Sequence, residues 1–176
     1  MPITRKTPVG PILTAIQAQI VLNTGLPPER VALLGRHQGP PAFQGDQDVW
    51  VQPGNLIPDP PQDQGSGRVA PVMRRIIVVA ARTRLALDMS DRDDSLLTDL
   101  SLGHMYLEEA IANSLQHFLP RALDATGDNL LWEPMRLVPY QEPTDPEAPQ
   151  GPQWEETRLA FEIAYVLYLN TGALLL

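Results

Sequence analysis

Apolar and polar positions alternate along Val72–Leu87, which reads Val-Met-Arg-Arg-Ile-Ile-Val-Val-Ala-Ala-Arg-Thr-Arg-Leu-Ala-Leu. Val and Ile dominate the run and no Gly or Pro interrupts it, as a strand requires. Met73, Ile77, Val79, Ala81, Thr83, Leu85 and Leu87 form a nearly continuous apolar face. Arg74, Ile76, Val78, Ala80, Arg82 and Arg84 form the other, apolar in the middle and cationic at both ends. This predicts a central strand covered on both faces at mid-length and wet at its tips. Fully extended, it would span about 50 Å, against a diameter of about 40 Å for a compact domain of this size. The expectation is a strand that overshoots its core and needs a partner to cover it.

A second alternating run, Trp154–Asn170, sets Leu159, Phe161, Ile163, Tyr165 and Leu167 against Arg158, Ala160, Glu162, Ala164 and Val166, another long strand. Val31–Leu34 and Asp48–Val51 predict short strands, and Leu130–Tyr140 an extended segment broken at Pro134. Helical spacing appears twice. Val9, Ile12, Leu13, Ile16 and Ile20 follow the capping pair Thr7-Pro8 and precede Gly25, predicting a helix over Pro8–Asn23. Leu107, Ala110, Ile111, Ser114, Leu115 and Phe118 make the stripe of a helix over Leu102–Leu119, which Pro120 ends. Eleven of the 19 prolines lie in connections near 35–47, 52–71 and 141–153, so the scaffold stays regular and its surface elaborate. Residues 88–101 form an acidic connection. The apolar end, Thr171–Leu176, is too short to fold alone and docks on this chain or on a neighbour. The element order predicts a single α+β domain over residues 1–176. Its mostly antiparallel, twisted sheet carries two helices packed on one face.

Charge and composition narrow the function. The net charge is −8, which argues against coating nucleic acid and suits a channel through which DNA slides. Twelve of the thirteen basic residues are Arg, the cation favoured at interfaces. The chain has no cysteine, which excludes disulfides and thiolate chemistry. No signal peptide or membrane span is expected, so synthesis is expected in the cytoplasm.

Candidate chemistry is sparse. His104 and His117 would lie about 20 Å apart on one helix, too far to share a metal. The Asp88–Ser95 stretch lacks the ligand spacing, central Gly and terminal Glu of a calcium loop. Gly65-Ser-Gly67 precedes Arg68 without the Lys-Ser/Thr of a phosphate loop. Glu108 and Glu109 are adjacent and face different ways on a helix. The expectation is therefore no enzyme, no cofactor and no metal. What remains resembles an interface. Arg74, Arg82, Arg84 and Arg158 decorate the long strands beside Glu162, and Asp91, Asp93 and Asp94 crowd one connection. Segregated opposite charges suit head-to-tail contacts between copies of the chain.

Several features occur in a recognisable order: an N-terminal helix, short strands, the Arg-bearing strand Arg74–Arg84, a helix from Leu102-Gly-His, and the closing strand Arg158–Val166. In this the chain resembles the tail terminator, or tail-completion, proteins of long-tailed bacteriophages. The resemblance covers Thr7–Tyr168 and rests on element order and texture. It implies a homohexameric ring at the head-proximal end of the tail tube. The ring would stop tube polymerisation, meet a neck or head-completion protein and, in a contractile tail, the sheath, and let DNA through as transiting cargo. It implies no membrane partner and a virion location after assembly in the host cytoplasm. Two alternatives stay open at this point. One is another neck connector or the cap of a phage-like contractile injection system. The other is a monomeric binding module, or a small enzyme, whose site the Pro-rich loops would build.

Overall fold

The computed structural model describes residues 9–42, 45–57, 72–84, 103–121, 131–139 and 154–166. Along the chain these give helix α1 (Val9–Thr24), a 3-10 turn (Pro28–Arg30), strands β1 (Val31–Leu33), β2 (Gln47–Ile57) and β3 (Val72–Arg84), helix α2 (His104–Leu115), and strands β4 (Leu131–Val138) and β5 (Trp154–Val166). The strands form one five-stranded sheet in the order β1-β2-β3-β5-β4. β1 runs parallel to β2, and the other pairings are antiparallel. The α+β arrangement expected from the alternation is the one the chain adopts.

α1 buries Ile12, Leu13, Ile16 and Ile20, the stripe its spacing dictates. Each is worth roughly 1.5–3 kcal/mol as an upper estimate of transfer from water. The helix closes at Gly25, whose φ of 71° is open to glycine and whose amide donates to the Val21 carbonyl at 3.1 Å. α2 buries His104, Leu107, Ile111 and Leu115. Both helices pack with Val31, Val49, Val51, Ile77, Val79, Ala81, Leu131, Met135, Phe161, Ile163 and Tyr165 in one core. The helices therefore cover a single face of the sheet. On β3 that face is the odd-numbered one of the sequence pattern.

Two expectations need correction. α2 ends at Leu115, short of Leu119, because Gln116–Phe118 turn to β4 instead. His117 adopts a φ of 65° and its amide donates to the Met135 carbonyl at 2.9 Å, while the Met135 amide donates to Phe118 O at 2.7 Å. Tertiary hydrogen bonds displace the last helical turn. Glycine tolerates this left-handed geometry better than histidine. His117→Gly is therefore expected to raise stability by about 0.5–1 kcal/mol, read as a higher urea midpoint at unchanged m-value.

The second correction concerns β2, which runs on through Pro53 and Gly54 to Ile57 where a loop was expected. β1 stops opposite Val51, so beyond it β2 has no strand partner on that side among the described residues. A proline is tolerated at such an edge. The register with β3 shifts between Pro53 and Leu56, a bulge. There a Cβ on Gly54 would sit 3.1 Å from the Ile76 carbonyl oxygen, closer than side chains normally approach.

The expected overshoot concerns the ends of β3 and β5. β3 and β5 pair from Val72↔Val166 to Arg84↔Trp154. The inward positions of β3 stay covered from Met73, partly buried on the core, to Thr83, which is buried. Within the described residues the strand does not leave its core. Residues 85–87 and 167–170, the expected extensions, lie outside them, as do Asp91, Asp93 and Asp94.

Candidate interaction face

Even-numbered positions of β3 and β5 lie on the sheet face away from both helices. Backbone register assigns their neighbours: Asp48, Arg82 and Glu156 form one row across β2, β3 and β5. Trp50, Ala80 and Arg158 form the next, then Gln52, Val78, Ala160 and Val138. Beyond lie Ile76, Glu162 and Arg136, then Ile57, Arg74, Ala164 and Glu133. The face is thus an apolar band between two charged zones.

The first charged zone is closed. Arg82 is 4% exposed and Asp48 2%. Arg82 Nη2 lies 3.7 Å from Asp48 Oδ2 and donates to the Pro41 carbonyl at 2.8 Å. Its guanidinium carbon stands 5.2 Å from the centroid of the Trp50 ring, within cation–π range. Arg30 Nη1 reaches the other Asp48 oxygen at 3.4 Å. The Pro41 bond shows that the segment 34–42, which follows β1, comes onto the sheet on this face. Gln52 Nε2 pins it further through the carbonyls of Gly35, Arg36 and Gln38, at 2.8, 2.9 and 3.1 Å. A depression of about 250 Å³ remains beside it, lined by Arg36, Gln52, Asn55, Ile76 and Val78.

The second charged zone is more open. Arg74 Nη1 bonds Glu162 Oε1 at 2.7 Å, and both of its terminal nitrogens approach Glu133 at 3.4 Å. Arg136 Nη2 shares Glu162 Oε1 at 3.2 Å. The Glu162 hydrogen bond, helped by Glu133, raises the Arg74 pKa above the ordinary arginine value, against the lowering effect of burial. These residues line a depression of about 200 Å³. Arg158 Nη2 pairs with Glu156 at 2.7 Å.

The structure therefore brings Arg74 and Glu162 together, as partners within one chain. Arg82 and Arg158 are likewise engaged internally, contrary to the expectation of segregated cations awaiting a neighbour. Arg84 is exposed. Sequence reasoning missed Arg30, Trp50, Glu133, Arg136 and Glu156. For Arg136 and Glu156 the signal, charge at even positions of adjacent strands, becomes visible only once the register is known.

Away from this face, His104 is buried between β3 and β5 on the helix side, hydrogen-bonded to Thr83 and Thr157. Among the described residues no group of three or more His, Asp or Glu could hold a metal, and no helix is long and apolar enough to cross a membrane. No protein-family model matches the chain, and no curated protein matches it.

Proposed function

We propose that this chain is a structural assembly protein of the phage tail-terminator kind. In this reading copies of it form a ring, expected to be hexameric, on the head-proximal end of a tail tube. The ring ends tube growth, joins the tail to a neck protein and leaves a channel for DNA. The observation that carries the reading is the two-sided sheet. One face is consumed by helices, and the other holds an apolar band between ion pairs that are already neutralised within the chain. Such a face can be covered by protein without stranding a charge, the costly event at interfaces. The element order and the resemblance it supports point the same way.

The sheet margins favour contacts through faces and loops over strand addition. Gln116–Phe118 occupy the outer side of β4 at Met135, and Pro53 interrupts the donor row of β2. The proposed role is steric and requires no catalytic group or cofactor. The ring's partners would be itself, the tube protein, a neck or head-completion protein, the sheath where there is one, and DNA as cargo. Its place would be the virion. Native mass measurement, alone and with assembled tubes, tests this: a closed ring of identical subunits is expected, and a monomer under both conditions would sink it.

A further inference from the structure

α2 is preceded by Gly103, which offers no side-chain cap. Its first helical bond runs from the Leu107 amide to the Gly103 carbonyl at 3.1 Å. What ties this turn to the sheet is the side chain of its first residue. His104 is 3% exposed. Its Nδ1 lies 2.9 Å from Thr83 Oγ1 on β3, and its Nε2 lies 2.8 Å from Thr157 Oγ1 on β5.

The proton positions along this chain follow from its ends. The Glu108 carboxylate can only accept, so the Thr157 hydroxyl donates to Glu108 Oε2 at 3.4 Å. Thr157 Oγ1 then accepts, and His104 carries its proton on Nε2. Nδ1 is left as the acceptor, so the Thr83 hydroxyl donates to it. At the far end Gln47 Nε2 donates to Thr83 Oγ1 at 3.4 Å. The sequence Gln47, Thr83, His104, Thr157, Glu108 is thus consistently directed from β2 to the helix surface. It holds for one tautomer of a neutral imidazole.

We propose that His104 is an acid-released latch fastening the first turn of α2 to β3 and β5. A second proton on Nδ1 would face the proton of Thr83, a hydroxyl that is 1% exposed. Thr83 must turn, and its own proton then loses the imidazole nitrogen as acceptor in the core. The positive charge also sits in the first turn of a helix, where the dipole opposes it. Charged groups near the ring are Glu108 on α2 and Glu155 on β5; both favour protonation, but burial outweighs them and lowers the His104 pKa from 6.5. The folded state therefore binds this proton more weakly than the unfolded chain. Its contribution to stability is complete above pH about 6.5 and is lost as pH falls below that value. Met105 and Tyr106, exposed on the same turn, would be released with it.

Histidine-selective ¹⁵N NMR together with hydrogen exchange at the Leu107 amide tests the latch in the full chain. The expected result is an Nε2–H tautomer above neutral pH and titration below the ordinary histidine value. In step with that titration, Leu107 should lose protection about tenfold for each unit of pKa depression, after correction for the intrinsic pH dependence of exchange. His104→Gln should remove the step. Thr157→Val, which deletes the Nε2–H acceptor and conserves volume, should shift the ring toward the Nδ1–H tautomer. An Nδ1–H tautomer in the unsubstituted protein would overturn the proposal. So would a Leu107 transition that persists unchanged in His104→Gln or, should that variant not fold, one that occurs away from the His104 titration.

Discussion

Arg82→Glu is expected to unfold the protein or bring it close to unfolding. The substitution puts a carboxylate beside Asp48, itself buried, and in the same row as Glu156. It removes the 2.8 Å bond that seats Pro41 and the contact with Trp50. Breaking a buried pair while leaving its partner charged costs about 3–5 kcal/mol, a large part of a typical total of about 5–15 kcal/mol. Arg82→Met, which keeps the apolar stem, should cost less, and less again when combined with Asp48→Asn, because the stranded carboxylate is gone. Arg84→Glu, at the exposed end of the same face, should leave the urea midpoint within about 0.5 kcal/mol of the parent. If Arg82→Glu were as stable as Arg84→Glu, the closed charge cluster described here would be wrong.

Phe161→Ala is expected to cost about 3–5 kcal/mol in urea unfolding. Phe161 is fully buried on β5, registered with Ile77 on one side and Leu137 on the other, and packed in the core shared with both helices. Removing its ring leaves a cavity that two strands and a helix layer would have to close together. Leu137 lies in the same row but is 40% exposed on the edge strand. Leu137→Ala should cost only about 1 kcal/mol, since a large share of its surface stays in water and the edge can relax around the change. Equal losses at the two positions would mean that Leu137 is as deeply buried as Phe161, contrary to its exposure.

Much of the scaffold was legible from spacing alone. Ile12, Ile16 and Ile20 on one helix, and Ile77, Val79, Phe161 and Ile163 on alternating strands, announced which faces would be buried. They are the faces that are buried. Local rules failed where a distant element supplied a better partner. Pro53 reads as the end of a strand, but β1 has already stopped there and β2 continues. His117 sits between the helical-stripe residues Leu115 and Phe118, but the Met135 carbonyl accepts a bond from its amide and bends the chain away. The charges were harder still. Arg74 and Arg82 look alike in the sequence, as cations on the polar face of one strand. Their difference comes from residues that are remote along the chain: Asp48 and Pro41 enclose Arg82, whereas Glu162 and Glu133 hold Arg74 at a more open margin. A pairing between β3 and β5 that spans two long connections cannot be registered from periodicity, because a shift by two residues preserves every face.

This changes what an assembly surface on this protein can be. The arginines that first suggested intersubunit ion pairs are largely committed to holding the sheet face and the segment 34–42 in place. Contacts with neighbours would then fall to the apolar band around Ile76, Val78 and Val138, to Arg84 and to the connections. The proposal that the chain terminates a tube is tested most directly by electron microscopy of a phage tail-tube protein polymerising with and without the purified chain. The account predicts tubes that stop growing and carry one ring of this protein at a single end. Tubes that elongate at an unchanged rate with both ends bare, while the chain stays monomeric beside them, would contradict it.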